Sequence, residues 1–313
     1  MKTQWQPSAD ISTLKTRAEF LAKIRQFFHD QNVLEVDTPV LASFTVTDPN
    51  IESIAATCNG KTAYLQTSPE FFMKRLLAAG SGDIYYLGKS FRDEEFGAKH
   101  NPEFTMLEWY RVGYNDHQLI ENTLELIFSL LPEAPVTKLS YKSLFEKHFN
   151  VNPHTVSVNK IKMIAQQYCD VQFDSDDVDV WLNLLFTHVI EPAMQGWFVV
   201  YDFPESQGAL AKKAINEDGD VIAKRFEIYC DGLELGNGYW ELTDAKEQRQ
   251  RFENDVRQRK LHGYRDIHYD ENILAALDSG MPECAGIAMG VDRLLMIKTK
   301  KLIINDVISF VFE

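Results

Sequence analysis

Residues 91–110 read Phe-Arg-Asp-Glu-Glu-Phe-Gly-Ala-Lys-His-Asn-Pro-Glu-Phe-Thr-Met-Leu-Glu-Trp-Tyr. The patterns over 83–91 and 104–112 are those of strands, joined by a loop around Asn101-Pro102. Arg92, Asp93, Glu94, His100, Asn101, Phe104 and Glu108 therefore lie along one hairpin-like unit. Such a set can grip a phosphate, a flat base and an ammonium at once. Arg92 offers charge-assisted hydrogen bonds worth roughly 1.5–3 kcal/mol each. Phe104 can stack on a base, although an ordinary core aromatic is the commoner fate of a strand phenylalanine. Glu108 and Tyr110 share a strand face. Buried alone, that glutamate would be costly, so a cationic ligand would explain it.

Working outward, residues 12–32 carry an amphipathic helix, with Leu14, Ala18, Leu21, Ile24 and Phe28 at helical spacing. Val33 to Leu41 reads as a strand carrying Pro39. Pro69 sits where proline is tolerated at a helix start, and the helix runs through Ala79. From Asp116 the pattern turns helical, and Pro132 stops that stripe. Further helices are expected at 140–149, 157–168 and 177–190. A strand follows at 197–203, then a hairpin over 224–242 around Asp231-Gly232, a favoured two-residue turn. Residues 244–261 form a charge-laced helix, and 286–297 a strand entering a helix. Early and late strands with helices between predict an α+β fold with a mostly antiparallel sheet flanked by helices. One catalytic domain over 1–313 is expected, with a helical insertion at about 116–195.

In the 224–242 hairpin, Cys230 and Leu233 flank the turn, so Tyr229 faces Glu234. Glu227, two residues from Tyr229, then shares a side with Glu234. Two carboxylates there suit a hard cation such as Mg²⁺; a solvated acidic hairpin is the plain alternative. Asn237 and Glu241 are out of phase with Glu234. A bulge at Gly236-Asn237-Gly238 would return them to that face.

The segment Gly286-Ile-Ala-Met-Gly290-Val-Asp-Arg293 puts a glycine at a strand end, where a planar ligand can approach the backbone. Arg293 follows in the first helical turn and suits a phosphate. Tight packing alone would also account for such a glycine. Ser68-Pro69-Glu70 marks a strand-to-helix junction, with Ser68 as a cap and Glu70 at the positive helix end.

Composition narrows the class. The chain of 313 residues has a formal charge of −14 and no basic run, which disfavours nucleic acid as a partner. No apolar run is long enough to span a membrane. The first ten residues lack a signal-peptide core. Cys58, Cys169, Cys230 and Cys284 are scattered without metal-type spacing, as in a reduced, cytoplasmic protein.

Together these stretches resemble the catalytic domain of class II lysyl-tRNA synthetases over nearly the whole chain. A first motif matches at Val36-Asp-Thr-Pro39-Val-Leu, a second at 91–110 and a third at 286–293. Residues 225–242 resemble the metal and lysine segment of the lysyl subgroup. The second motif, with its His-Asn-Pro-Glu-Phe-Thr-Met core, is the most specific. The resemblance implies ATP and Mg²⁺ as cofactors and a homodimer through the first motif. It implies that Glu70, beside Ser68 and Pro69, holds the backbone-side amine of the substrate, and that Arg92 and Asn237 hold its carboxylate. Glu108, Tyr110 and Glu241 would hold the distal ammonium. Asp93, Glu94, Asn101, Phe104, Leu235 and Gly290 would line the nucleotide. His100 and Arg293 would hold the outer phosphates, with Glu227 and Glu234 on the metal.

Three departures stand out. Almost nothing precedes the catalytic region, so an anticodon-binding domain is not expected. Ala288 replaces a glycine of the lysyl enzyme, and Ser68 replaces an alanine. In these respects the chain is similar to the free-standing lysyl-synthetase paralogues that modify elongation factor P. That family implies adenylation of β-lysine, or lysine, and transfer to a lysine ε-amine of the factor. A truncated lysine-activating enzyme serving tRNA or a small molecule is the alternative, as is a non-catalytic regulatory paralogue. Arg92, Glu94, Glu227, Glu234 and Arg293 argue against the last.

Overall fold

The structure, a computed structural model, describes residues 5–93 and 95–312; Glu94 lies outside the described residues. From the N-terminus the elements are α1 (Ile11–Asp30), β1 (Leu34–Glu35), β2 (Leu41–Ala42), β3 (Ala55–Cys58), β4 (Lys61–Leu65), α2 (Glu70–Ala78), β5 (Ile84–Phe91), β6 (Glu103–Val112) and α3 (Asp116–Leu130). They continue as β7 (Val136–Ser140), α4 (Tyr141–Phe149), α5 (Val158–Tyr168), α6 (Val178–Leu185), α7 (Glu191–Ala193), β8 (Trp197–Pro204), β9 (Lys213–Ile215), β10 (Val221–Cys230) and β11 (Leu233–Trp240). The last are α8 (Ala245–Leu261), α9 (Glu271–Asp278), β12 (Cys284–Gly290) and α10 (Val291–Thr299). The fold is α+β, as the sequence predicts. Two compact units divide it: one holds the chain up to residue 113, residues 122–132 and the chain from residue 243; the other holds 114–121 and 133–242.

In the first unit β5, β6 and β12 form an antiparallel ladder, with β1 added parallel to β5. A separate three-stranded sheet runs β2-β4-β3. Asp10 caps α1 by accepting the Thr13 N–H at 2.7 Å, which satisfies a donor the helix leaves open. The buried stripe of α1 packs on one side of the ladder. Phe28 stacks on Tyr85 with centroids 4.4 Å apart and meets Trp109 edge-on at 5.4 Å. Because side chains alternate, Glu108 and Tyr110 fall on the opposite side. The strand expected over Val33–Leu41 survives only at its ends. The Val36 N–H still donates to the Tyr85 carbonyl at 2.8 Å, but Pro39 has no donor with which to continue a ladder.

Three distant segments of this unit meet at Asp292, in the first turn of α10. Its carboxylate accepts from the Arg17 guanidinium at 2.6 Å and from the Thr105 backbone N–H at 2.7 Å. Arg17 also donates to the Thr105 hydroxyl at 2.6 Å. Asp292 is 2 % exposed, so the charge is affordable only because the pair is complete.

In the second unit β8, β10 and β11 are antiparallel, β7 joins β8 in parallel and β9 pairs with β10. A π-helical stretch, Phe186–Ile190, links α6 to α7, completing the helical span expected at 177–190. The core is aromatic: Tyr141 stacks on Phe145 at 4.8 Å and on Phe186 at 5.2 Å, and Phe186 lies 6.0 Å from Tyr229 of β10. The helices and the β10–β11 hairpin thus share one core. The hairpin turns as predicted, with φ of 49° at Asp231 and 72° at Gly232, the sign pattern of a type I′ turn. Glycine is required twice over at 232, because a Cβ would stand 2.5 Å from the Glu191 carbonyl oxygen.

Asp292→Ala leaves Arg17 without its counter-charge and is expected to lower unfolding free energy by about 3–5 kcal/mol. Urea unfolding followed by circular dichroism measures it, and a loss below about 1 kcal/mol would contradict the role given to this junction.

Candidate active site

The far face of the first unit's ladder carries several of the candidate side chains. Cross-strand register places Tyr86, Glu108 and Ala288 in one row and Ile84, Tyr110 and Gly286 in the next. Met106 lies between Gly88 and Gly290, and Phe104 pairs with Ser90. Cross-strand partners share a face, so Phe104, Glu108, Tyr110, Ala288 and Gly290 form one surface. From Phe104 to Tyr110 it extends roughly 20 Å at about 3.4 Å per residue. That is room for a nucleotide at one end and an amino acid at the other.

At the Tyr110 end of this surface Glu108 is 1 % exposed. It accepts the Tyr110 hydroxyl at 2.7 Å on one oxygen and the Ser68 hydroxyl at 2.7 Å on the other. Ser68 in turn accepts the Glu70 backbone N–H at 3.0 Å, so it serves the start of α2 and the pocket together. Pro69 occupies the N-cap position with no side-chain hydrogen bond. Glu70 pairs with Lys74 at 2.7 Å, one turn along α2, and Lys74 is 2 % exposed. Burial and the nearby Glu70 charge push the Glu108 carboxyl up to about 8, against the lesser lowering by the Ser68 and Tyr110 hydroxyls and the Lys74 ammonium. Near neutral pH this carboxyl therefore holds a proton that an incoming ammonium would displace.

At the other end the Arg92 guanidinium lies over the Phe104 ring, 5.2 Å from its centroid. One terminal nitrogen reaches Glu95 at 3.3 Å. The Arg92 Nε is buried without a hydrogen-bond partner among the described residues, a costly state that an anion would relieve. His100 and Arg293 come together as expected, with Nε2 and Nη2 2.6 Å apart. Gly290 has an ordinary φ of −78°. The nearest atoms to an added Cβ belong to the Arg293 side chain, at 3.6–3.9 Å, which is ordinary contact. Neither backbone strain nor packing explains this glycine, which leaves the open space beside Arg293. The Asn101 amide donates to the Glu103 carbonyl at 2.7 Å and accepts the Phe312 N–H at 3.2 Å, keeping one hydrogen and one lone pair for other contacts. Asp93 is exposed, and its backbone N–H donates to the Glu52 carbonyl at 2.9 Å.

In the second unit, Cys230 pairs with Leu233 and Tyr229 with Glu234, the register read from the sequence. Glu227 pairs with Asn237 and Ile228 with Gly236, leaving Leu235 as the extra residue of a bulge. The register shift thus falls one residue ahead of the glycines that were expected to host it. It still brings Asn237 to the face of Glu227 and Glu234. Glu227 is buried and accepts from the Arg225 guanidinium on one oxygen and the Tyr229 hydroxyl on the other. Burial raises its carboxyl pKa, countered by Arg225 and reinforced by the Glu234 charge. Two close carboxylates, each Glu227 oxygen retaining a lone pair, fit a hard divalent cation. Among the described residues no group of three or more His, Cys, Asp or Glu side chains forms a metal centre. The pair would thus share the ion with nucleotide oxygens. Glu241 lies past the end of β11, buried, at an isolated bridge with Ala211.

The family profile described as tRNA synthetases class II (D, K and N) matches residues 6–313. The chain belongs to this class II tRNA synthetase family. Among its relatives, the elongation factor P–(R)-β-lysine ligase of Haemophilus influenzae strain PittGG is 44% identical, covering 99% of this chain and 98% of its own. The proteins of that name from Pectobacterium atrosepticum and Photorhabdus laumondii are 44% and 45% identical, over 99% and 98% of this chain and 98% and 97% of their own lengths.

In each unit one charged neighbour of a candidate residue escaped the sequence reading. Lys74 was visible as an i,i+4 partner of Glu70, and Arg225 as a same-face neighbour of Glu227. Each carries a charge that would ordinarily be assigned to solvent.

Between pH 4.5 and 8 the folded protein keeps on Glu108 a proton that the unfolded chain has released. Stability is therefore expected to fall as pH rises through that window. A cationic ligand bound near pH 7 should expel about one proton. Calorimetric titration of lysine in buffers of different ionisation enthalpy measures this. Equal proton release by the native protein and Glu108→Gln would refute the assignment.

Proposed function

We propose that the protein activates (R)-β-lysine with ATP and transfers it to the ε-amino group of one lysine of elongation factor P. The observation that carries this is the match to ligases of that name over essentially their whole length. The chemistry of the site supports it: a cation pocket at Glu108 and an arginine with an unsatisfied donor at Arg92.

In the first step the substrate carboxylate attacks the α-phosphorus of ATP. The bond to the bridging oxygen breaks and pyrophosphate leaves. Arg92 holds the α-phosphate and orients the carboxylate, for which Asn237 supplies an amide. His100 and Arg293 hold the outer phosphates, so charge on the leaving group meets fixed donors. Phe104 and Gly290 take the base. When bound at Glu227 and Glu234, Mg²⁺ supplies charge neutralisation to the phosphates. Glu108, Tyr110 and Glu241 take the distal ammonium, and Glu70 the other amine. In the second step the lysine amine attacks the acyl carbon and AMP departs.

Moving an amine by one carbon is a small steric difference, worth only about 1–3 kcal/mol if read by shape alone. Ser68 and Ala288 are the two departures from the lysyl pattern that fall in the pocket, and both neighbour Glu108. Ala288 is assigned to crowd an amine at the α position, and Ser68 with Glu70 to receive one at the β position. The protein is placed in the cytoplasm, where its acceptor works; no helix among the described residues is long and apolar enough to cross a membrane. A homodimer through the 36–41 segment is part of this reading, consistent with the exposed Leu34, Val40 and Leu41.

Incubation with ATP and each lysine isomer, beside elongation factor P or tRNA, is expected to add mass to the factor alone, and more with the β isomer. Mass gain only on tRNA would overturn the acceptor. Ala288→Gly should raise ATP–pyrophosphate exchange with α-lysine about tenfold. Equal rates for both isomers in both proteins would remove the steric role of Ala288.

A further inference from the structure

Arg225 has no part in the contacts assigned above to substrate or metal, yet it makes more directed contacts than either group it serves. Its Nη1 donates to the Gln207 carbonyl at 2.9 Å, and its Nε to Asn237 Oδ1 at 3.1 Å. Its Nη2 donates to Glu227 Oε1. The guanidinium carbon sits 4.6 Å from the centre of the Phe203 ring. One planar fork thus reaches a carboxylate on its own strand and an amide on the next, from a fixed seat. The seat is itself anchored: the Gln207 side chain donates to Asp179 Oδ1, in the first turn of α6, at 3.0 Å.

The bond to Asn237 decides which way that amide faces. With Oδ1 taken by Arg225, one Nδ2 hydrogen goes to the Tyr239 hydroxyl at 2.8 Å. The other remains available for an acceptor such as a carboxylate. Without Arg225 the amide is free to rotate and present its oxygen to a carboxylate, which repels it. The same guanidinium fixes one oxygen of Glu227, while the Tyr229 hydroxyl fixes the other. The carboxylate plane is then set, with a lone pair free on each oxygen. A lysine ammonium at 225 would keep the charge and lose the fork.

We propose that Arg225 is a positioning residue that holds Glu227 and Asn237 in one arrangement, coupling the metal carboxylate to the amide that receives the substrate carboxylate. This rests on the reading of Glu227 as a Mg²⁺ ligand and Asn237 as a substrate ligand. Two properties that single substitutions at those positions would change separately should therefore change together at 225.

The test compares Arg225→Lys, Glu227→Gln, Asn237→Ala and the Arg225→Lys/Asn237→Ala pair in the full chain. Mn²⁺ binding in the presence of α,β-methylene-ATP is read by electron paramagnetic resonance. The KM for the amino acid is read by pyrophosphate exchange, and folding by circular dichroism. Arg225→Lys is expected to weaken Mn²⁺ binding and raise the amino-acid KM, each about tenfold or more, with an unchanged spectrum. Glu227→Gln should act mainly on Mn²⁺ and Asn237→Ala mainly on KM. Adding Asn237→Ala to Arg225→Lys should cost less than it does alone. If Arg225→Lys moves neither quantity while the single-site variants do, the coupling is wrong and the ligand assignments stand. If Glu227→Gln leaves Mn²⁺ binding intact, the metal assignment and the proposal fall together. Should Arg225→Lys lose its fold, Arg225→Gln, which keeps a planar donor, takes its place, and additive costs with Asn237→Ala overturn the proposal.

Discussion

A strand buries one row of side chains by presenting the other, and the candidate residues of each unit are built on that constraint. On β6, Leu107 and Trp109 enter the core while Glu108 and Tyr110 stand on the opposite face. On β10, Phe226 and Ile228 are fully buried while Arg225, Glu227 and Tyr229 line the other side. Alternation lets the apolar row hold position by packing, so the polar row is placed by residues that touch no ligand. Tyr229 shows the link directly, since its ring joins the aromatic core and its hydroxyl holds Glu227.

Burying charge on such a face forces local accounting. Glu70 has Lys74 beside it, and Asp292 has Arg17. Glu227 has Arg225 as its counter-charge, with the Glu234 charge acting in the opposite sense. Glu108 has hydroxyl donors and a carboxylate neighbour, and its proton stays on. The two acidic sites therefore answer desolvation differently. One holds a fixed counter-charge from the protein, and the other waits for a cation from its ligand.

Much of this was legible in the sequence, for physical reasons specific to each element. Asp231-Gly232 fixed the hairpin because few dipeptides adopt two positive φ angles. Once the turn was placed, the partners of Cys230 and Tyr229 followed by counting. The bulge was foreseen but displaced to Leu235, because an extra residue settles where the two ladders need it and not only where glycine permits it. The strand over 33–41 shrank because one proline interrupts the donors a ladder requires. Asn101 turned inward to backbone groups that no local pattern announces. The Arg17–Asp292 junction spans 275 positions, a separation at which sequence periodicity carries no information.

That same junction bears on how the chain is made. The unit that contains it is discontinuous, beginning before residue 113 and resuming at 243, whereas the other unit is nearly continuous from 133 to 242. On a ribosome adding about 5–20 residues per second, roughly 10–35 s separate synthesis of residue 113 from that of residue 292. Throughout that interval Thr105 and Arg17 exist without the carboxylate that joins them. Closure of the first unit at this junction therefore comes late in synthesis, after the stretch that makes up most of the other unit has already been made.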